Sequence, residues 1–432
     1  MFESYACFWC CSTAMAIMVQ SWRCDTTALE RITEDLEKLS ANDLRYAGSV
    51  GERAMLHNVK ALLPTTVKPR IEGFVAHTSP ELVLVVHSAL LLLAGLLGFG
   101  LPELGTLLCA IVTASLVAEG TGHLSLIRWP MPKAASYNLV LGQAAENPLG
   151  TIVISAPLDI PRWRPARRWI HRPLQAVFAA ALFVTIMLAL RTMAEPWGRF
   201  TLGIYIVSLL ILATTMALSA VLRRRQVPGE VDASGPAVLL ELQRRFLSDP
   251  IPGVEVWTVF TGCGFAYQGG MEAFLAQHGA RLAAPALVVA LHEPGRDPVG
   301  VAVSEGPLWS QHHRSTGPAL VERLRWAGIE IPMIDKAEPT DARAAMIQDF
   351  RALALCGSYG PSNARTAART ADLAETVVRW FGEDLAGVAG SMSKLQRLVQ
   401  VVEAQPAQIE ADLRSDQFMV NSGASGLGRP RF

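Results

Sequence analysis

Ser234-Gly-Pro-Ala-Val-Leu-Leu-Glu-Leu-Gln-Arg-Arg-Phe-Leu247, followed by Val254-Glu-Val-Trp-Thr-Val-Phe260, is the stretch that decides the fold class. Ser234 can cap the first turn of a helix, and Pro236 sits in that turn, where a missing N–H is of little consequence. Val254–Phe260 is short and rich in β-branched and aromatic residues, which reads as a strand. Downstream the alternation continues with a helix at Gly269–Gln277, a strand at Pro285–Leu291, a helix at Gly317–Ala327 and a strand at Ala352–Cys356. Upstream come helices at Thr26–Leu39 and Gly51–Leu63, then strands at Tyr137–Leu141 and Thr151–Ala156 joined by a turn at 144–150. Such alternation predicts an α/β fold with a mostly parallel sheet flanked by helices.

Two apolar blocks interrupt that pattern. Residues 82–102, 104–118, 173–190 and 200–222 contain no Lys, Arg, Asp or Glu, and about 20 apolar residues suffice to cross a bilayer. They predict four spans in two transmembrane hairpins, 82–119 and 173–222, inserted into one discontinuous domain made of 26–80, 120–172 and 223–390. The composition agrees: of 432 residues, 51% are hydrophobic and 18% charged. That is less charge than a water-soluble domain carries, at about a quarter. The 38 Lys and Arg balance 38 Asp and Glu, which argues against a nucleic-acid binder, since that would need a basic face to displace counterions from phosphates.

Each hairpin returns the chain to its starting side. That side carries Arg128, Lys133, Arg162, Arg164, Arg167, Arg168, Arg172 and Arg223–Arg225, which predicts a cytoplasmic α/β domain on the cell inner membrane. Within Arg162–Arg172, Arg162, Trp163, Arg167, Arg168, Trp169 and Arg172 interleave cations with interfacial aromatics. They are expected to anchor to lipid headgroups, with docking of a partner as the sharper alternative. His87 inside the first span is read as packed between helices, with a proton path as the alternative. The apolar segment 1–25 lacks the basic start of a signal peptide. For it a surface helix, an extra span and a start-site extension stay open. Seven scattered cysteines do not form a disulfide framework. His312-His313 reads as a solvated loop, and 391–432 as a helix followed by a disordered tail.

Several short strings resemble the co-catalytic bizinc aminopeptidases of the aminopeptidase S and glutamate carboxypeptidase type, which include glutaminyl cyclases. They are Gly48-Ser-Val-Gly-Glu-Arg-Ala54, Asn138–Gly142 followed by Gly150-Thr-Ile-Val-Ile-Ser-Ala-Pro-Leu-Asp159, Asp232-Ala-Ser-Gly-Pro-Ala-Val-Leu-Leu-Glu241, and Val256–Phe274. The resemblance implies a zinc-aminopeptidase-like fold. It also implies two zinc ions held by His, Asp and Glu, with a further Glu as general base, a donor set that suits zinc.

Those ligands are mostly missing. Matched position by position, the first His falls on Pro157, the bridging Asp on Val231, the paired glutamates around Gly264, the second Asp on His292 and the last His on Ala342. Asp159 keeps the place of the Asp that orients the first His, now with no such ligand to orient. A one-residue slip brings Asp232 to the bridging position. No Asp or Glu occurs from Val256 to Met271, so the base has no local substitute. The expectation is a catalytically inactive, peptidase-like membrane protein without a cofactor. Its crevice of Asp159, Asp232, Cys263, His292 and Glu293 would bind a peptide or a membrane-protein partner. The alternative is a divergent hydrolase, either zinc-dependent through Asp232 and His292 or thiol-dependent through Cys263.

Overall fold

The computed structural model describes residues 26–40, 44–121, 126–143, 145, 148–161, 171–193, 199–224, 232–306, 311–312, 316–336, 338–358, 361–385 and 387. The chain divides into two packed units, 1–378 and 379–432. In the second, the described residues are helical; the predicted helix at 393–402 and the tail lie outside them.

The apolar run Thr151–Ala156 forms β3 (Gly150–Pro157), which is buried along nearly its whole length. Strands β4 (Val254–Thr261) and β5 (Ala286–His292) flank it in parallel, and β9 (Arg351–Gly357) extends the parallel centre beyond β5. The edges differ from the expectation. β1 (Arg70–His77) and β2 (Lys133–Gln143) run antiparallel on one side, and on the other β6 (Val299–Glu305) runs antiparallel to β9. β7 (Gln311–His312) and β8 (Met333–Lys336) both pair with β6. The order is β1-β2-β4-β3-β5-β9-β6-β7. With four parallel and four antiparallel pairings, the sheet is mixed, not mostly parallel. β1 escaped the sequence reading for a physical reason. An edge strand needs only one covered face, so β1 alternates half-buried with exposed residues and shows no continuous apolar run.

The helices are α1 (Thr26–Ser40), α2 (Val50–Leu62), α3 (Pro80–Leu97), α4 (Pro102–Thr121), α5 (His171–Met193), α6 (Arg199–Arg224), α7 (Ser234–Ser248), α8 (Gly269–His278), α9 (Thr316–Trp326) and α10 (Asp341–Ile347). A last helix of this unit occupies 364–378. Side chains alternate across a strand. Val153, Val259 and Val288 therefore share one core with Met271 and Phe274 of α8 and Ala342 and Ala345 of α10. Ile152 and Ile154 point the other way and are fully buried; α7 packs on this part of the sheet. Each such aliphatic side chain contributes about 1.5–3 kcal/mol on burial. α1 is pinned to α7 by Arg31–Glu241 and Arg244–Asp35, both at 2.6 Å.

The four apolar segments are all helical. α3 packs on α4 and α6, and α5 on α4 and α6, around a core that includes Leu91, Cys109, Val184 and Leu212. At the first hairpin the backbones come close: a Cβ on Gly105 would stand 2.7 Å from Gly98 Cα, so small residues permit this contact. His87 is buried as expected. Its Nδ1–H donates to the Val83 carbonyl at 2.8 Å, which leaves Nε2 to accept from Ser115 Oγ at 3.2 Å. Among the described residues α3 and α4 are long and apolar enough to cross a membrane, by length and composition; the apolar segments of α5 and α6, Val177–Thr192 and Ile204–Thr215, are shorter. Leu93, Leu107, Ile111, Leu190 and Leu210 are exposed around this bundle.

Candidate functional site

The C-terminal ends of the parallel strands meet at one edge: Pro157 on β3, Thr261 on β4, His292 on β5 and Gly357 on β9. Ligands of open α/β sheets bind outside such an edge. The turn after β4, Gly262–Gln268, stands over it. Four consecutive backbone N–H groups there are taken up by three side chains. Asn138 Oδ1 accepts from Gly262 at 3.0 Å and Glu52 Oε1 from Cys263 at 2.6 Å. The Asp159 carboxylate accepts from Gly264 at 2.7 Å and from Phe265 at 3.1 Å. Asp159 thus orients a backbone turn rather than a histidine ligand. These bonds hold Cys263 (φ 50°) and, further along the turn, Tyr267 (φ 62°) and Gln268 (φ 53°) in the left-handed region that non-glycine residues rarely enter.

Glu52 and Asn138 are members of the site that the sequence reading did not single out. Glu52 also accepts from Gly48 N at 2.8 Å and Ser136 Oγ at 3.0 Å, while Ser49 caps α2 by accepting from Glu52 N. The legible signal was the capping-box spacing Ser49–Glu52. Burial raises the Glu52 carboxyl above its ordinary range. Burial, together with the Glu52 charge, raises Asp159 further.

The positions expected to hold two zinc ions are filled by other interactions. Pro157 and Gly264 lie against each other: a Cβ on Gly264 would stand 2.5 Å from Pro157 Cβ and 3.2 Å from Asp159 Oδ1. A carboxylate side chain has no room at that position. Ala342 is buried in the core under the sheet. Asp232 does sit at this edge, but its Oδ2 accepts from Arg296 Nε at 2.9 Å, and its Oδ1 from Ser234 N at 2.9 Å and Ser362 Oγ at 3.1 Å. The Asp232 and Arg296 side chains are 1% and 7% exposed. A guanidinium occupies this carboxylate, and the residues present do not fit a two-zinc centre.

Cys263 is fully buried and packs with Ala47 and Ala266. Burial, with the charges of Glu52 and Asp159 nearby, drives its thiol far above its ordinary pKa, the opposite of what activates a cysteine nucleophile. His292 packs against Phe265 with ring centroids 4.6 Å apart and the planes tilted by 53°, and Glu293 follows it with φ 53°. The site is also tied to the apolar bundle: Arg128 lies over the Tyr267 ring at 4.3 Å, and Arg343 Nη2 donates to the Gly120 carbonyl of α4 at 2.7 Å. Val231, Arg162, Trp163, Arg167, Arg168, Trp169, His313 and segment 1–25 lie outside the described residues; Arg172 falls in α5 and His312 in β7, with only their backbones described.

No protein-family model and no curated protein matches the chain. Several solved structures are similar to it. A glutaminyl cyclase from an Acidobacteriales bacterium is 11% identical, over 83% of this chain and 94% of that one, with a TM-score of 0.46. An aminopeptidase from Aneurinibacillus sp. strain AM-1 is 10% identical, over 81% and 93%, at 0.45. BSAP, a zinc aminopeptidase from Bacillus subtilis, is 9% identical, over 81% and 94%, at 0.44.

Proposed function

We propose that this chain is a multi-pass membrane protein with a zinc-aminopeptidase-like domain that no longer carries out two-zinc hydrolysis. Its crevice works by binding, as a docking site or scaffold for a peptide or a membrane-protein partner. The observation that carries this reading is the Asp232–Arg296 ion pair. Two cations must share a bridging water to make it a nucleophile, and here a fixed guanidinium neutralises the carboxylate best placed to bridge them. The packing of Pro157 against Gly264 supports the same reading, because the general base has no place beside it. The purified full chain in detergent is expected to hold fewer than two zinc ions and to release no amino acid from peptide substrates. Two zinc per chain with aminopeptidase turnover overturns the proposal.

The bilayer is the other partner in this reading. Leu93, Leu107, Leu190 and Leu210 would be costly to hydrate on the outside of a bundle, and lipid removes that cost. The arginines beside the helices support a cytoplasmic α/β domain, because such cations gather on the cytoplasmic side of membrane helices. Gly100, in the turn between α3 and α4, has open space around it, so Gly100→Cys tests the orientation. An impermeant thiol reagent added outside intact cells should label it above the background of the unsubstituted chain. Labelling only from the cytoplasmic side overturns the orientation.

A further inference from the structure

Beside the Asp232–Arg296 pair, the neighbours His292 and Glu293 at the end of β5 converge with Glu338 from a separate loop. We propose that His292, Glu293 and Glu338 form a single divalent-cation site, suited to zinc, that shares only the His292 position with the two-zinc centre the fold would suggest. Glu338 and Glu293 match none of the family's ligand positions, and Glu338 reaches the site from the loop before α10.

One ligand atom from each residue lies within 4.8 Å of the other two. His292 Nε2 is 3.8 Å from Glu338 Oε2, too long for a hydrogen bond. It is, however, within about 0.5 Å of the spacing between two ligands on a tetrahedral zinc, which bond lengths near 2.0–2.2 Å set at about 3.3–3.5 Å. One imidazole and two carboxylates are donors that zinc accepts, and their summed charge of about −2 matches a divalent cation. With three protein donors the fourth position stays open to water or to a carbonyl or carboxylate oxygen of a bound partner.

The supporting structure is in place. His292 ends the buried strand β5, and the Phe265 ring rests against its imidazole. Two residues after Glu338, Thr340 donates its N–H to Glu305 at 2.7 Å and its hydroxyl to the same carboxylate. Gln268 Nε2 donates to the Pro339 carbonyl at 3.4 Å. The loop that carries Glu338 is therefore held from two directions. Arg296 Nε lies 3.8 Å from Glu293 Oε2 but 2.9 Å from Asp232 Oδ2, so its charge is committed mainly to Asp232. The side chain of Glu338 is 32% exposed, which gives an ion a route in from solvent.

The test is a zinc titration of the full chain in detergent, stripped by a chelator and then competed against a chromophoric one. One zinc per chain is expected, with binding weakened at least about tenfold by His292→Ala and by Glu338→Gln. Cobalt(II) should give a visible absorption that both substitutions abolish. The partly exposed Glu338→Gln tests the site without disturbing the core. Unchanged affinity in both variants overturns the site. So does an absence of zinc binding by the unsubstituted chain, which would leave the loss of the two-zinc centre standing.

Discussion

Arg296→Met should destabilise the folded chain by about 3–5 kcal/mol, the cost of stranding one partner of a buried ion pair. Asp232 would keep Ser234 N and Ser362 Oγ on Oδ1, but its Oδ2 would lose the guanidinium that donates to it at 2.9 Å. Adding Asp232→Asn should restore most of the loss, because the asparagine carbonyl can accept both remaining hydrogen bonds without a charge. The measurement is denaturant unfolding of the detergent-solubilised chain, followed by circular dichroism for the two single variants and the double. A loss below about 1 kcal/mol, or a double variant no better than Arg296→Met, sinks the view that this pair replaces a metal bridge.

Asp341→Asn should do the reverse and stabilise the chain at neutral pH. Asp341 opens α10 beside Ala342, is 4% exposed, and accepts from Thr261 Oγ1 at 2.9 Å. Burial is the main force that pushes its carboxyl up to about 6. The unfolded chain releases that proton near pH 4 and the folded chain near pH 6, so between those values the native state binds more protons. Stability therefore falls as pH rises through the window and levels off above it. A shift of about two units corresponds to roughly 3 kcal/mol. Asparagine keeps an acceptor for Thr261 and carries no charge. The gain over the unsubstituted chain should be about 2–3 kcal/mol at pH 7 and close to nothing below pH 4. A difference that does not vary with pH, or a loss at pH 7, would show that Asp341 is no burden to the fold.

Much of the framework was legible along the chain. Thr151–Ala156, Val254–Phe260 and Ala352–Cys356 are apolar on both faces because both faces are covered, so their position in the sheet centre is written into residue type. The four apolar runs became α3 to α6 for a similar reason, since a helix apolar nearly all round announces itself without reference to a partner. Edge strands carry no such mark. β1 is half exposed, so main-chain pairing, which any residue can supply, decided its place. The site divides in the same way. Asp159, Asp232, Cys263 and His292 were found from their order in the chain, but their partners were not. Asp159 was left with nothing to orient, and Glu52 appeared only within the Gly48–Ala54 string.

The sequence by itself determined the α/β class, the apolar bundle and the absence of zinc-ligand side chains at positions 157 and 264. Proline at 157 has no donor atom to offer, and the turn after β4 contains no carboxylate whatever its shape. Only the tertiary structure decided which contacts occupy those places. Arg296 meets Asp232 from 64 residues away, and Glu52 meets Cys263 from 211 away; Glu338 comes to His292 from beyond β8. Periodicity and residue type are local properties that a chain carries with it. Which charge neutralises which carboxylate depends on the strand order, because that order decides which loops arrive at the same edge of the sheet.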